Sequence, residues 1–131
     1  MSAKTLALVF GVIFALVGLL GFVPNPLVGS GALFDTNTAH NLVHLLIGLI
    51  LLAVALWAPM QSALWLKILG VVYLLIALLG YVTGSPILGL VEINDADNWL
   101  HILLGIVLLA AGFWGKNDMM MGGSSMATPA M

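Results

Sequence analysis

The sequence predicts an all-α fold, an integral membrane four-helix bundle built from two parallel two-helix repeats. Three observations lead to this prediction: an extreme composition, four long apolar stretches and an internal repetition. Of the 131 residues, 63% are hydrophobic and 6% are charged, whereas about a quarter of an ordinary soluble domain is charged. A soluble fold of this length cannot bury so much apolar surface, so the lipid bilayer is the predicted partner of the chain.

Charge and motif content exclude several function classes. The net charge is −2 with only three Lys and Arg residues, which leaves no basic surface for nucleic acid. The chain has no cysteine, so disulfides and thiolate metal sites are absent. It also lacks the G-x-S-x-G, P-loop and H-E-x-x-H signatures of common enzyme classes. We therefore expect that the protein is not an enzyme.

Four apolar stretches define the predicted helices, at residues 5–23, 42–57, 63–82 and 99–114. Each approaches the roughly 20 helical residues that cross a hydrocarbon core. In lipid the backbone must satisfy its own hydrogen bonds, and an uninterrupted apolar run does so as a helix. The second and fourth stretches are the shorter ones, and each can extend at its N-terminal end through a polar turn.

The first stretch follows Lys4 and is also compatible with a cleaved signal peptide. The internal repetition favours its retention. A shift of 57 positions places residues 34–57 on residues 91–114 with ten identities in 24 positions, and a shift of 59 places the first stretch on the third. The repeats therefore span about 5–57 and about 64–114, within a bundle domain of residues 1–116.

Orientation follows from the arrangement of the helices and the three lysines. A two-helix unit returns the chain to its starting side, so both repeats have the same orientation about an axis along the membrane normal. Lys4, Lys67 and Lys116 all fall on one side, which the positive-inside rule assigns to the cytoplasm. Both termini are thus predicted to be cytoplasmic. Residues 117–131 form a Met-rich tail that we expect to be disordered on that side.

A polar stripe opens the second helix and recurs in the fourth. The stripes lie at positions i, i+4, i+7 and i+11 and contain Asn37, Asn41, His44 and Gly48, then Asn94, Asn98, His101 and Gly105. Asn37 and Asn94 suit helix N-caps. Polar side chains in a span avoid lipid, so both stripes are predicted to turn inward as an interhelical polar cluster. The two glycines are predicted to allow close helix packing.

Three functions remain open for these stripes. The leading hypothesis is a non-enzymatic structural or accessory membrane subunit with no cofactor, alone or in a homo-oligomer or larger membrane complex. The first alternative is a redox subunit in which His44 and His101 bind haem or a divalent metal, with His40 and Asp97 as further ligands four residues earlier. The second is a small proton, ion or solute transporter gated by histidine protonation.

The starts of the second and fourth helices carry a resemblance to a known family. Residues 37–48 contain HNLVH and residues 94–105 contain DNWLH, and the chain thereby resembles a bacterial membrane family catalogued as domain of unknown function number 4383. The resemblance covers about residues 5–114 and leaves out the Met-rich tail. It implies a four-span protein of the bacterial cytoplasmic (inner) membrane, and it implies no activity.

Overall fold

The computed structural model describes residues 1–117 and contains four long helices in that range. The elements in chain order are α1 Ala3–Leu20, β1 Val28–Gly29, β2 Phe34–Asp35, α2 Thr38–Trp57, a short 3-10 helix Pro59–Gln61, α3 Ser62–Thr83 and α4 Asp95–Trp114. All four α-helices are long and apolar enough to cross a membrane, which confirms that part of the prediction. The predicted disordered tail lies outside the described residues, except for Asn117.

Side-chain caps extend α2 and α4 four residues beyond their apolar stretches. The side-chain oxygen of Asn37 accepts the His40 N–H at 3.0 Å, and that of Asn94 accepts the Asp97 N–H at 3.0 Å. Asp97 returns a bond from its carboxylate to the Asn94 N–H at 3.1 Å, which completes a capping box. Both asparagines therefore begin their helices, as the sequence predicts.

The helices pack mainly as two pairs, α1 with α2 and α3 with α4. Between the pairs lies a core of fully or almost fully buried side chains, including Phe14, Leu51, Leu66 and Leu108. Burial of one such aliphatic or aromatic side chain is worth about 1.5–3 kcal/mol in water. In lipid the same contacts act through close packing. This core fills the half of the bundle nearest the chain ends.

The outward faces of the helices are apolar. Leu16, Leu46, Leu75 and Leu103 each expose more than half of their surface, and they project from α1, α2, α3 and α4 respectively. Such continuous exposed aliphatic surface is unsuited to water and well suited to acyl chains. The structure thus has the surface of a protein whose solvent is a bilayer.

The loops between the paired helices fold back over the bundle. Val28 in the α1–α2 loop and Ile87 and Ile93 in the α3–α4 loop are buried. The first loop also holds a two-residue parallel pairing, Val28 with Phe34 and Gly29 with Asp35, which the all-α prediction omits. Gly29 and Gly31 have φ values of 140° and 74°, a backbone region that glycine enters without steric cost. These residues allow the chain to loop back so that β2 runs beside β1 in the same direction.

Two hydrogen bonds join the helix caps across the bundle. Asn37 donates its side-chain amide to the Leu90 carbonyl at 2.8 Å, and Asn94 donates to the Leu33 carbonyl at 2.9 Å. Each cap thereby holds the loop of the other helix pair. At the opposite end the Ala3 N–H donates to the Lys116 carbonyl at 2.8 Å, so the start of α1 lies beside the end of α4.

Candidate metal centre

Three histidines meet beneath the two loops. His40 and His44 lie on successive turns of α2 and His101 lies on α4, with 3%, 7% and 4% of their surfaces exposed. One ring nitrogen from each lies within 4.8 Å of the others. The N-caps place these side chains within two turns of the helix starts, so His44 lies about 9 Å into α2 at a rise of 1.5 Å per residue.

The hydrogen bonds of His40 orient its ring. Its Nδ1 lies 2.6 Å from the Glu92 carbonyl oxygen, and its Nε2 lies 3.1 Å from Nε2 of His44. A carbonyl oxygen only accepts, so Nδ1 carries the proton and donates it. Nε2 of His40 is therefore the nitrogen with a free lone pair, and the Nε2–H of His44 donates to it in the metal-free tautomer.

This arrangement fits metal ligation in two respects. Nitrogen ligands at about 2.0–2.1 Å from a tetrahedral ion lie about 3.3 Å apart, which is close to the 3.1 Å between His40 and His44. A ligating histidine also commonly donates its other N–H to a backbone carbonyl, as His40 does to Glu92. His101, within 4.8 Å, would complete a three-nitrogen shell by an approach of about 1.5 Å or less.

Several polar atoms at this centre have no hydrogen-bond partner among the described residues. They are Nδ1 of His44, Nδ1 of His101, the hydroxyls of Thr36 and Tyr73 and the side-chain oxygen of Asn98. A buried polar atom left unpaired costs about 1–3 kcal/mol. Native proteins rarely accumulate such atoms without a functional reason. Their concentration around the histidines therefore marks this region as a site.

Aromatic rings separate the histidines from the apolar core. Phe14 and Tyr73 stack with ring centroids 5.3 Å apart and planes 22° from parallel. Tyr73 meets His101 edge to face at 5.3 Å, and Phe14 meets His44 in the same way at 5.8 Å. Such contacts hold the imidazole rings in fixed orientations. The two phenyl-type rings form the floor of the centre.

The structure brings the two predicted stripes together. The rings of His44 and His101 lie 6.1 Å apart at 27°, and Asn41 and Asn98 are buried beside Gly21 and Gly80 respectively. Asn37 and Asn94 lie half-buried at the rim as caps. Gly48 packs against α1, and Gly105 packs against α3.

The four candidate ligands separate into two roles. His40, His44 and His101 form the three-nitrogen group, whereas Asp97 is buried but uses its carboxylate in the capping box of α4. Sequence reasoning missed Tyr73 and the Glu92 carbonyl. A signal for Tyr73 existed, because the shift of 59 positions places Phe14 on Tyr73. A backbone carbonyl carries no such signal.

Two cavities adjoin the histidines, and all three rings contribute to both. The first has a volume of about 90 Å³ and includes polar side chains, which are Thr36, Asn41 and Asp97. The second has a volume of about 170 Å³ and is lined mainly by aliphatic side chains together with Tyr73. The histidine centre therefore lies between a polar chamber and an apolar chamber, the names used below for these two cavities.

Comparison with protein families gives a match over most of the chain. Residues 4–114 match the model of a family described as Domain of unknown function (DUF4383). That range runs from the second residue of α1 to the last residue of α4. No curated protein and no solved structure matches the chain significantly.

Proposed function

The chain therefore belongs to this family of unknown function, and we propose that it is a non-enzymatic multi-pass membrane protein that binds a transition-metal ion between His40, His44 and His101. The observation that carries the proposal is the set of three buried imidazoles with one nitrogen each within 4.8 Å of the others. Imidazole is the commonest protein ligand for such ions. We therefore prefer the metal-binding hypothesis to the hypothesis of a purely structural polar cluster between the helices.

The hydrogen bonding favours an ion over a simple interhelical seam. In a seam, histidines and asparagines pair across helices and satisfy one another. Here a single bond joins two of the histidines, both on α2. Nδ1 of His44 and of His101 makes no hydrogen bond across the helices among the described residues, so hydrogen bonds do not join these rings into a seam. A bound ion would use the Nε2 lone pairs of His40 and His44, which lie 3.1 Å apart, with the His44 proton on Nδ1. Together with His101 it would tie α2 to α4.

The ligand set points to copper or zinc. Nitrogen ligands from histidine suit Cu, Zn, Fe and Ni, and the first-row series of divalent ions favours Cu most strongly. Three imidazoles are uncharged when they bind, so the ion's own charge must be balanced nearby. Asp97 lines the polar chamber with the three histidines and supplies a carboxyl group for that purpose. Three protein ligands also leave a fourth position open.

Cavity volumes favour an ion over haem, the other ligand suggested by the sequence. The two chambers measure about 90 and 170 Å³, whereas pockets for drug-sized molecules measure about 300–1,000 Å³. A porphyrin is larger than either chamber. An ion requires only a small approach of rings already in place.

The buried core favours binding over conduction. Phe14, Leu51, Leu66 and Leu108 are fully or almost fully buried and lie between the histidines and the end of the bundle that carries the chain termini. A proton or ion path needs polar groups or water along its length. The transporter alternative therefore has less support than a centre that holds an ion near one face, as an accessory subunit would.

We further infer that the bundle is duplicated and that both helix pairs have the same orientation. Matched contacts support this: Gly21 meets Asn41 as Gly80 meets Asn98, and the Asn37 and Asn94 bonds to Leu90 and Leu33 are reciprocal. The position of all three lysines on one side supports a cytoplasmic location for both termini, and the expected membrane is the bacterial inner membrane. The metal centre then lies in the outer leaflet of the inner membrane.

Metal analysis of the purified full chain tests the proposal. Protein in detergent is loaded with Zn²⁺ or Cu²⁺, freed of excess ion and measured by mass spectrometry, and we expect about one ion per chain. His40→Asn should lower the affinity by more than the roughly 10–100-fold that loss of an outer-shell partner costs. His44→Asn and His101→Asn should act similarly.

Asp97→Asn is the matched control, because the shift of 57 positions places His40 on Asp97 and Asn can still accept the capping bond. This variant keeps all three imidazoles and loses only the nearby carboxylate, so it should weaken binding less than any of the three histidine variants. Circular dichroism melting of every variant separates loss of ligation from loss of fold. Folded histidine variants that bind as tightly as the native chain would contradict the proposal, as would a native chain that holds no ion.

A further inference from the structure

The two chambers are structural counterparts of each other. The shifts of 59 and 57 positions that align the helix pairs also align their walls. The matched residues are Val17 and Ile76, Val28 and Ile87, Phe34 and Val91, and Leu100 and Val43. The chambers thus occupy equivalent places on either side of the histidines, and their contents can be compared wall by wall.

Their linings have diverged. Asp97, Asn41 and Thr36 give the first chamber side-chain oxygens, and its volume is about 90 Å³. In the second chamber Ile47 and Leu79 add further aliphatic surface, and its volume is about 170 Å³. Its polar groups are the histidine rings and the Tyr73 hydroxyl. The two repeats therefore differ in the residues they contribute, which makes one chamber polar and the other larger and apolar.

We propose that the apolar chamber binds one small, neutral, apolar molecule directly beside His101 and Tyr73. An apolar cavity of about 150 Å³ in a protein core stays dry and takes up benzene or xenon. The apolar chamber, at about 170 Å³, is slightly larger and has a similar aliphatic lining. A molecule of this size, from a dissolved gas to a single-ring hydrocarbon, is the class that fits.

The apolar chamber opens between α2, α3 and the α3–α4 loop. Its inner wall is buried, with Tyr73 and Ile87 at 2% and 5% exposure. Its rim consists of exposed aliphatic side chains, Val43 and Leu79 on the helices and Leu88 and Leu90 in the loop. Exposed aliphatic rims in this fold face acyl chains. Apolar solutes concentrate in the hydrocarbon core of the bilayer. A ligand dissolved there could enter the chamber and reach the histidines.

The volume also excludes bulkier occupants. A drug-sized or lipid-sized molecule needs about 300 Å³ or more, beyond the 170 Å³ available. The proposal does not depend on the metal, because the ligand is held by packing against carbon and aromatic surface. Where an ion is bound, the ligand would lie against the ring of one of its ligands, His101.

The test uses xenon with the metal-free full chain in lipid nanodiscs, with Ile, Leu and Val methyl groups labelled for NMR. Xenon should produce saturable shifts of the Ile76 and Ile87 methyls. Val17 and Val28, their counterparts at the polar chamber, should show no saturable shift. Leu75 and Leu103 report non-specific solution of xenon in lipid, which grows linearly with pressure.

Ile76→Trp should fill the apolar chamber and weaken xenon binding at Ile87 at least tenfold. Val17→Trp, the same change at the matched position, should leave it intact and serves as the folding control. If Ile76→Trp does not fold, Ile76→Phe carries the same expectation. Linear responses at Ile76 and Ile87 would overturn the proposal. So would contacts from Ile87 to lipid acyl chains that xenon does not displace, because they would assign the chamber to a lipid tail.

Discussion

The two helix pairs have the same arrangement and differ in what limits the approach of their helices at one matched glycine. In the α1–α2 pair, a side chain on Gly48 would meet the backbone nitrogen of Ala15. In the α3–α4 pair, a side chain on Gly105 would meet the end of the Leu74 side chain, and the shift of 59 positions places Ala15 on Leu74. At this matched position the first pair is therefore limited by backbone contact and the second by a side chain. The same helix arrangement can therefore form with either backbone or side-chain contact at this glycine.

The pairs also differ in the chemistry they bring to the centre. His44 and His101 occupy matched positions, but His40 is matched by Asp97 and Tyr73 by Phe14. The third imidazole and the buried hydroxyl thus each come from one pair only. The helix arrangement is repeated, whereas the histidine centre is not. Substitutions can therefore test packing and ligand binding separately. The predictions below test the comparison in order of expected effect.

Gly48→Ala and Gly105→Ala compare the two interfaces directly. Adding a methyl group to Gly48 forces α1 and α2 apart, which we expect to cost about 1–3 kcal/mol of unfolding free energy. The same change at Gly105 should cost less, because Leu74 can move to another rotamer. Denaturant-induced unfolding in detergent measures both variants. Equal losses would mean that the two interfaces do not differ as described.

Asn25→Ala and Ser85→Ala compare the two loops. The Asn25 side chain makes five hydrogen bonds within the α1–α2 loop, whereas Ser85 accepts one from Ile93 in the α3–α4 loop. At a net of about 0.5–1.5 kcal/mol per bond, with losses that overlap, Asn25→Ala should cost about 2 kcal/mol and Ser85→Ala about 1. Amide hydrogen exchange at Leu27 and Val28 should rise in Asn25→Ala. Unchanged exchange there would show that the loop does not rely on Asn25.

Asn37→Ala and Asn94→Ala compare the two caps. Each should cost about 1 kcal/mol, with the larger loss at Asn94 because it also belongs to a capping box. Only Asn37 holds Leu90, two residues from the carbonyl that orients His40. Metal affinity should therefore fall in Asn37→Ala and hold in Asn94→Ala, by competition with a chelating dye. If metal affinity fell in Asn94→Ala and held in Asn37→Ala, the Glu92 carbonyl would not be the group that orients His40.

Lys67→Leu gives the smallest expected effect. The Lys67 ammonium lies 4.4 Å from the centre of the Phe113 ring, and the matched positions in the first pair are Leu8 and Leu56. A cation–π contact of this kind contributes about 0.5–1 kcal/mol at an accessible site. The variant should lose no more than that in an unfolding titration, while its helix content stays unchanged. A larger loss would show that Lys67 makes a further contribution to the fold.

Much of the fold follows from the sequence because a bilayer leaves few solutions. Long apolar stretches must be helices, and polar residues at i, i+4 and i+7 must share one inward face, so the helices and the meeting of His44 with His101 were predictable. The asymmetry at His40 and Asp97 was not. Both residues stand four positions before a histidine, and only the packing of α4 and its cap decides that one ring joins the centre. The β1–β2 pairing is too short for any alternation pattern to reveal.

X-ray absorption on the metal-loaded protein tests the central claim most directly, because it counts and identifies the atoms around the ion. Three imidazole nitrogens at about 2.0–2.1 Å, with the outer scattering of histidine rings, are expected for zinc. His40→Asn should remove one of the three and Asp97→Asn none. A shell of oxygen atoms without imidazole scattering, or a spectrum that is the same in His40→Asn, would contradict the three-histidine centre.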